Sequence, residues 1–301
     1  MRSRRRAIAV GAVLSGVVVV VVAALVVTDR RSGNEYAQFG QCPLGDPATS
    51  LCLSTESTGG KLTVGAKTVP IGPSLSLQGG VDVIENGERE VVRDELIAAR
   101  DGATLSSSPQ AVPGGLAGTV DADLLPAGPR STLEGLIRSG HANVTATIEP
   151  AGPVGAIGLD IQHLVEAEGT ALSLPVKVKL SNAFLGADCY IGSDAHPIWL
   201  ALTTGRTHPP GPNVSIKGNV GKATLRDEYN LTIIRGSSLV NNSFAAPGVR
   251  GCGGAGSGAG SFTVDRAVDA ELGLPAAAGR NTAILDGTLR DANALAVRAA
   301  G

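Results

Sequence analysis

The chain has 301 residues, with 25 basic and 27 acidic side chains and 43% hydrophobic residues. The first 31 positions hold six arginines and one aspartate, which leaves 19 basic against 26 acidic residues beyond them, a charge near -7. No basic stripe remains there to neutralise phosphates, so nucleic-acid binding is excluded as a main role.

Residues 1–6 carry Arg2, Arg4, Arg5 and Arg6, and residues 7–27 read AIAVGAVLSGVVVVVVAALVV without one charge. A helix of that length spans about 30 Å, the hydrocarbon thickness of a bilayer, and satisfies its own backbone polar groups there. The arginines ahead of the run outnumber Arg30 and Arg31 behind it, which keeps residues 1–6 cytoplasmic. The expected layout is therefore a transmembrane signal-anchor over 7–27, a polar linker over 28–41 and an extracytoplasmic β-rich domain over 42–301. Cleavage after Val22, Ala23 and Ala24 is the alternative and would release a secreted chain starting at Leu25. The apolar core is longer than the roughly 7 to 15 residues of a cleaved signal.

The outer part, about 270 residues, is large enough to bury a core as one domain or two. Aromatics are 3% of the chain, so that core must be built from Val, Leu, Ile and Ala. Six of the eight aromatics fall between Phe184 and Phe262, which places the densest packing there. The four cysteines, Cys42, Cys52, Cys189 and Cys252, all lie on the outer side, where an even count implies two disulfides. Pairing sequence neighbours, Cys42 with Cys52 and Cys189 with Cys252, is the simplest of the three connectivities. A zinc site has neither a C-x-x-C pair nor histidines at ligand spacing.

In chain order, the loop from Cys42 to Cys52 carries Pro43, Gly45 and Pro47 and reads as a stapled turn. Leu62–Val64, Val69–Ile71 and Leu75–Leu77 are short apolar pieces at meander spacing. Glu88–Arg100 is predicted as a helix, with Val92, Leu96 and Ala99 on one face and Gly102 behind its end. Residues 106–130 are rich in Ser, Pro and Gly and mark a connection or a domain seam.

Val144, Ala146 and Ile148 alternate with threonines as a half-buried strand. Over residues 172–180 Leu172, Leu174, Val176, Val178 and Leu180 share one face and Ser173, Pro175, Lys177 and Lys179 the other. Pro175 lacks a donor, so this strand is expected at a sheet edge or bulged. Ile198–Thr203, Val214–Ile216, Leu231–Ile234, Phe262–Val264 and Ala283–Leu285 follow as strands, and Asp265–Leu272 as a short helix capped by Asp265. Regular short strands with Gly and Pro between them imply a mainly antiparallel β fold, sandwich-like, with a few short helices.

The blocks FLGADCYIGS (184–193), PIWLALTTG (197–205), SSLVNNSFAAPGVRGCG (237–253) and LGLPAAAGRNTAIL (272–285) resemble the recurring blocks of an uncharacterised family of secreted or surface proteins of actinomycetes. The likeness covers chiefly residues 170–290, with echoes at 59–71. It implies an envelope location. The family has no established activity, so no catalytic residue is carried over.

Motifs for chemistry are sparse. Gly251, Gly253 and Gly256 form a literal G-x-G-x-x-G, but no βαβ unit surrounds it and it reads as a loop. No G-x-S-x-G occurs. Ser193, Asp194 and His196 invite a triad reading, yet triad members come from separate elements, and a polar turn before Pro197 is the expectation. His163 with Glu166 is a weak metal pair, and Asp121 with Asp123 or Asp188 with Asp194 read as solvated carboxylates rather than calcium ligands. Asn143, Asn213, Asn230 and Asn241 sit in N-x-S/T sequons, coincidental in a bacterial chain. No catalytic, cofactor or metal residue is assigned. The expectation is a non-enzymatic, anchored envelope protein that binds a protein or envelope component, with an envelope-acting hydrolase or a lipid carrier as alternatives.

Overall fold

The computed structural model describes residues 35–73, 75–86, 91–253 and 260–301. The arginine cluster, the apolar run 7–27 and the linker as far as residue 34 lie outside the described residues. Among the described residues no helix is long and apolar enough to cross a membrane.

The fold is mainly antiparallel β. Its first strands are β1 (Leu51–Val64), β2 (Lys67–Pro70), β3 (Leu75–Glu85), β4 (Val91–Ala98), β5 (Leu105–Ser107), β6 (Gln110–Ala111), β7 (Thr145–Pro150) and β8 (Gly158–Leu159). Then come β9 (Leu172–Ser181), β10 (Tyr190–Ile191), β11 (Ile198–Leu202), β12 (Lys222–Arg226), β13 (Leu231–Asn241), β14 (Val249–Arg250) and β15 (Thr282–Asn293). The α-helices are α1 (Ala127–Arg138), α2 (Ile161–Glu166), α3 (Gly260–Leu272) and α4 (Ala294–Ala300).

In place of the two stacked sheets of a sandwich, the strands form one sheet that curls onto itself. Hydrogen bonding runs β13-β15-β1-β3-β4-β8-β9, and β11 pairs with β9. Directly after β11, Thr203 donates to the Val240 carbonyl at 3.0 Å and accepts from the Val240 N–H at 2.8 Å. That exchange returns the sheet to β13 and closes a ring, whose narrowest joins are this bridge and the two residue pairs that β8 makes with β4 and with β9.

The curvature has a local cause. Both partners of β15 slip register at Gly287, β1 between Ser57 and Gly59 and β13 between Arg235 and Ser237, so Ser57 and Ser237 face the same glycine. Bulges bend a strand and increase its twist, and two at one level turn the sheet sharply. A Cβ on Gly287 would stand 2.7 Å from the Glu56 carbonyl oxygen, so only glycine fits there.

β9 keeps the predicted alternation, with Leu172, Leu174, Val176, Val178 and Leu180 buried on the inner face. Its expected place at an edge is corrected, since it has neighbours on both sides. Pro175 is tolerated because β7 ends at Pro150, opposite Val176, while β8 pairs only with Leu172 and Ser173. The Pro175 carbonyl accepts from Ala151 in the gap between them, where no strand asks for the missing N–H.

Three other expectations are corrected. The helix over Glu88–Arg100 is instead β4, since pairing with β3 from Gly79 to Glu85 outweighs a local helical pattern. Val214–Ile216 lies in a loop, and Phe262–Val264 belongs to α3. Asp265 is inside that helix, not its cap, and accepts the Cys252 N–H at 2.8 Å.

Leu105, Val112, Leu116, Val120, Leu125 and Leu133 all join the main core, so the segment around 106–130 belongs to the same packed body as the ring. The largest fully buried side chains are Leu, Ile and Val. The aromatics do not centre the packing, since Trp199 and Tyr229 stand out of the surface.

Cys42 is bonded to Cys52 and Cys189 to Cys252. The first disulfide sits in a second core on the outer side of the ring, with Phe39, Leu231, Ile233, Ala292 and Val297. Residues 35–41, read from sequence as linker, therefore already belong to the fold. Phe39 is buried, and Glu35 meets Arg226 at 3.2 Å.

Candidate functional site

The sequence-selected residues do not converge on a catalytic centre. Ser193 and His196 close a tight turn, each backbone N–H donating to the other's carbonyl at 3.1 Å, as expected before Pro197. Asp194 turns away from the histidine and accepts from Lys177 Nζ at 2.8 Å. His163 pairs with Asp160 at 2.9 Å rather than with Glu166, which accepts from Gln162. Asp121 caps a short 3-10 turn by accepting the Asp123 N–H. Among the described residues no group of three or more His, Cys, Asp or Glu could hold a metal. Of the G-x-G-x-x-G, Gly256 lies outside the described residues, while Gly251 has φ +77 and sits against the Asp188 carbonyl.

Two of the four sequon asparagines tie loops to the sheet, while Asn143 is exposed and Asn230 bonds within its own turn to the Asp227 carbonyl. Asn213 Nδ2 donates to the Asn242 and Asn281 carbonyls at 2.9 and 2.8 Å, and buried Asn241 donates to Ala201. Those nitrogens hold the 205–217 loop and β11 onto β13, which leaves them unavailable to a glycan.

Two cavities run along the inner face of β9. One of about 70 Å³ is lined by Leu53, Leu77, Leu105, Leu172, Leu174 and Leu285, and one of about 40 Å³ by Leu62, Val112, Ile148, Val178, Leu180 and Leu272. Val176, fully buried, stands between those two stretches of β9. Drug-sized ligands occupy roughly 300 to 1,000 Å³, so neither cavity houses one.

The outer face of the same strands is chemically distinct. β10 and β11 line up along one side of β9, Tyr190 opposite Lys179 and Trp199 opposite Pro175. Residues 192–197 loop out between them. On the other side of β9, β7 places Glu149 opposite Lys177. Alternation turns Ile198, Leu200 and Leu202 inward and leaves Trp199, the chain's single tryptophan, 52% exposed. Lys177 Nζ and Lys179 Nζ lie 5.5 and 5.6 Å from the Tyr190 ring centre, within cation–π range, and the Tyr190 hydroxyl donates to Glu149 at 3.3 Å.

These contacts fix the ring and the two ammonium groups before anything binds. Lys177 is held above the usual lysine range, chiefly by its hydrogen bond to Asp194, whose own carboxyl is lowered by the same bond. Lys177 and Asp194 stay charged across the physiological range. The result is a face with an exposed indole, a phenol ring bonded to Glu149, two lysines and the exposed Arg250 opposite Tyr190, with Glu149 and Asp194 among them.

The sequence analysis counted Trp199 and Tyr190 only among the aromatics expected to pack inside. The alternation of Ile198, Leu200 and Leu202 held the signal that Trp199 points outward. No protein-family model, curated protein or solved structure matches this chain.

Proposed function

We propose that the chain is a non-enzymatic, single-pass envelope protein, anchored through residues 7–27 with the β ring on the extracytoplasmic side. On this reading the ring binds an envelope component through its Trp199 face. Its partner offers flat apolar surface to the indole and anionic groups to Lys179 and Arg250. The resemblance of residues 170–290 to actinomycete surface proteins is consistent with that location. Two disulfides with no free cysteine among the described residues support an oxidising compartment.

The observation that carries the reading is Trp199 itself. A chain this poor in aromatics holds its one tryptophan half-exposed in mid-strand on the face that carries Tyr190, Lys179 and Arg250, and Trp, Tyr and Arg are the residues that dominate binding surfaces. The small cavities give a lipid carrier no support.

The test is co-sedimentation of the disulfide-bonded protein with cell-envelope fragments, beside Trp199→Ala and Lys179→Glu. Retention of the parent and a loss of at least tenfold in both variants, with unchanged melting, is the expected result. Equal retention of all three would remove the face from the function. Turnover in a hydrolase panel that one Asp or His substitution abolishes would overturn the non-enzymatic reading.

A further inference from the structure

We infer that the end of the ring built from the turn at residues 227–229 and helix α4 rests on the surface of the bilayer, with Tyr229 and Leu295 in the lipid interface. The inference rests on the proposed anchor at 7–27.

The first support is the point at which the chain enters the fold. Eight residue steps separate Val27 from Glu35, so Glu35 lies within about 29 Å of the end of the apolar run. Glu35 and Tyr36 are both fixed to one place. Glu35 pairs with Arg226 at 3.2 Å, both side chains about three-quarters buried, and the Tyr36 hydroxyl donates to Asp227. The turn between β12 and β13, to which Glu35 and Tyr36 are fixed, thus lies within reach of the membrane on that tether.

The second support is the shape of that turn. Asp227, Glu228 and Tyr229 have φ of +46°, +54° and +76°, three consecutive non-glycine residues in the left-handed region. Each such residue costs about 1 kcal/mol or more relative to ordinary backbone, a strain that persists only where the surroundings enforce it. Here the Tyr36 bond to the Asp227 carboxylate and the Asn230 amide donating to the Asp227 carbonyl at 3.0 Å hold it. The outcome is that Tyr229 stands out of the surface, 60% exposed.

The third support is a neighbour of the same kind. Asn293 N–H donates to the Asn230 carbonyl at 2.9 Å, and Asn293 caps α4. Leu295, 68% exposed, follows Asn293 by two residues, as Tyr229 precedes Asn230 by one, so that bond joins the two exposed segments. A tyrosine and a leucine with nothing covering them suit the boundary where apolar bodies meet polar headgroups. Glu228 and Arg298 beside them have opposite charges, so apolar contact rather than attraction to anionic lipid drives the seating.

The same geometry sends the binding face away from the membrane. β13 leaves this end at Leu231 and reaches Val240, the partner of Thr203, about 30 Å later at strand rise. Since β11 runs antiparallel there, Trp199 lies farther still.

The test uses the full chain reconstituted in phosphatidylcholine vesicles, with and without bromine on the acyl chains. The parent reports from Trp199. Two further chains combine Trp199→Phe with Tyr229→Trp or with Leu295→Trp. Bromolipid should quench the Y229W and L295W chains at least twofold and leave Trp199 emission unchanged, at low and high salt alike. Chains that float with the vesicles while Y229W and L295W stay as bright as Trp199 would overturn the seating and leave the anchor standing. Chains that do not float would overturn the anchor, and the seating with it.

Discussion

Thr203 and Val240 exchange both of their backbone hydrogen bonds, and through that backbone pair, beside the Asn241 amide bond to Ala201, the end of β11 meets β13 and the sheet becomes a ring. The segments beside the pair are packed without slack. A Cβ on Gly205 would stand 2.0 Å from the Ala167 carbonyl oxygen, and one on Gly218 would stand 2.5 Å from that of Ser238.

Gly205→Ala is therefore expected to lower stability by about 1–3 kcal/mol, the scale of an overpacked site. Gly135→Ala, on α1 with open space around the added methyl, should raise it by about 0.5–1 kcal/mol through helix propensity and lost unfolded-state freedom. Denaturant titration of both against the parent checks the contrast, and equal effects would count against a tightly closed ring.

The disulfides close loops of different length, with sequence separations of 10 and 63. Removing Cys42–Cys52 should cost about 3 kcal/mol and removing Cys189–Cys252 about 4 kcal/mol on the chain-entropy model. Intact mass should rise by four hydrogens on full reduction.

Burial pushes the Asp291 carboxyl up to about 6, against the partial relief of a hydrogen bond from Thr232. Its value in the folded chain exceeds that in the unfolded chain, so folding takes up a proton between about pH 4 and 6 and stability falls as pH rises across that window. Asp94, Asp265 and Asp269, raised by burial as well, add the same sign. Asp291→Asn keeps an acceptor for Thr232 and should be more stable than the parent at pH 7, by at most about 3 kcal/mol, with the gap closing at pH 4. Melting curves at the two pH values decide it.

Asn281 is fully buried, accepts from the Gly65 N–H at 2.8 Å and donates to the Phe244 carbonyl at 2.9 Å. It ties the β1–β2 turn to the segment before β15. Asn281→Ala removes both the half-buried bond from Gly65 and the buried bond to Phe244 and should cost about 2–3 kcal/mol, whereas Asn230→Ala, at a half-buried site, should cost under about 1 kcal/mol.

The sequence by itself determined what depends on local pattern. Strict alternation fixed β9 and its buried leucines and valines, and four cysteines on one side of an apolar run fixed the disulfide content. Elements whose state depends on a distant partner were not legible. The segment 91–98 has a helical pattern and becomes a strand because β3 offers it a ladder, and Pro175 sits in a central strand because β7 and β8 leave a gap there. The ring itself depends on two bulges meeting at Gly287 and on one pair 37 residues apart, Thr203 with Val240. The candidate surfaces came from strand pairing: β10 and β11 along β9 put Trp199, Tyr190 and the lysines on one face, and the Asn293 bond to the Asn230 carbonyl joins the turn of Tyr229 to the start of α4. Side-chain alternation is a property of neighbours along the chain, whereas a surface is made by residues that the fold brings together.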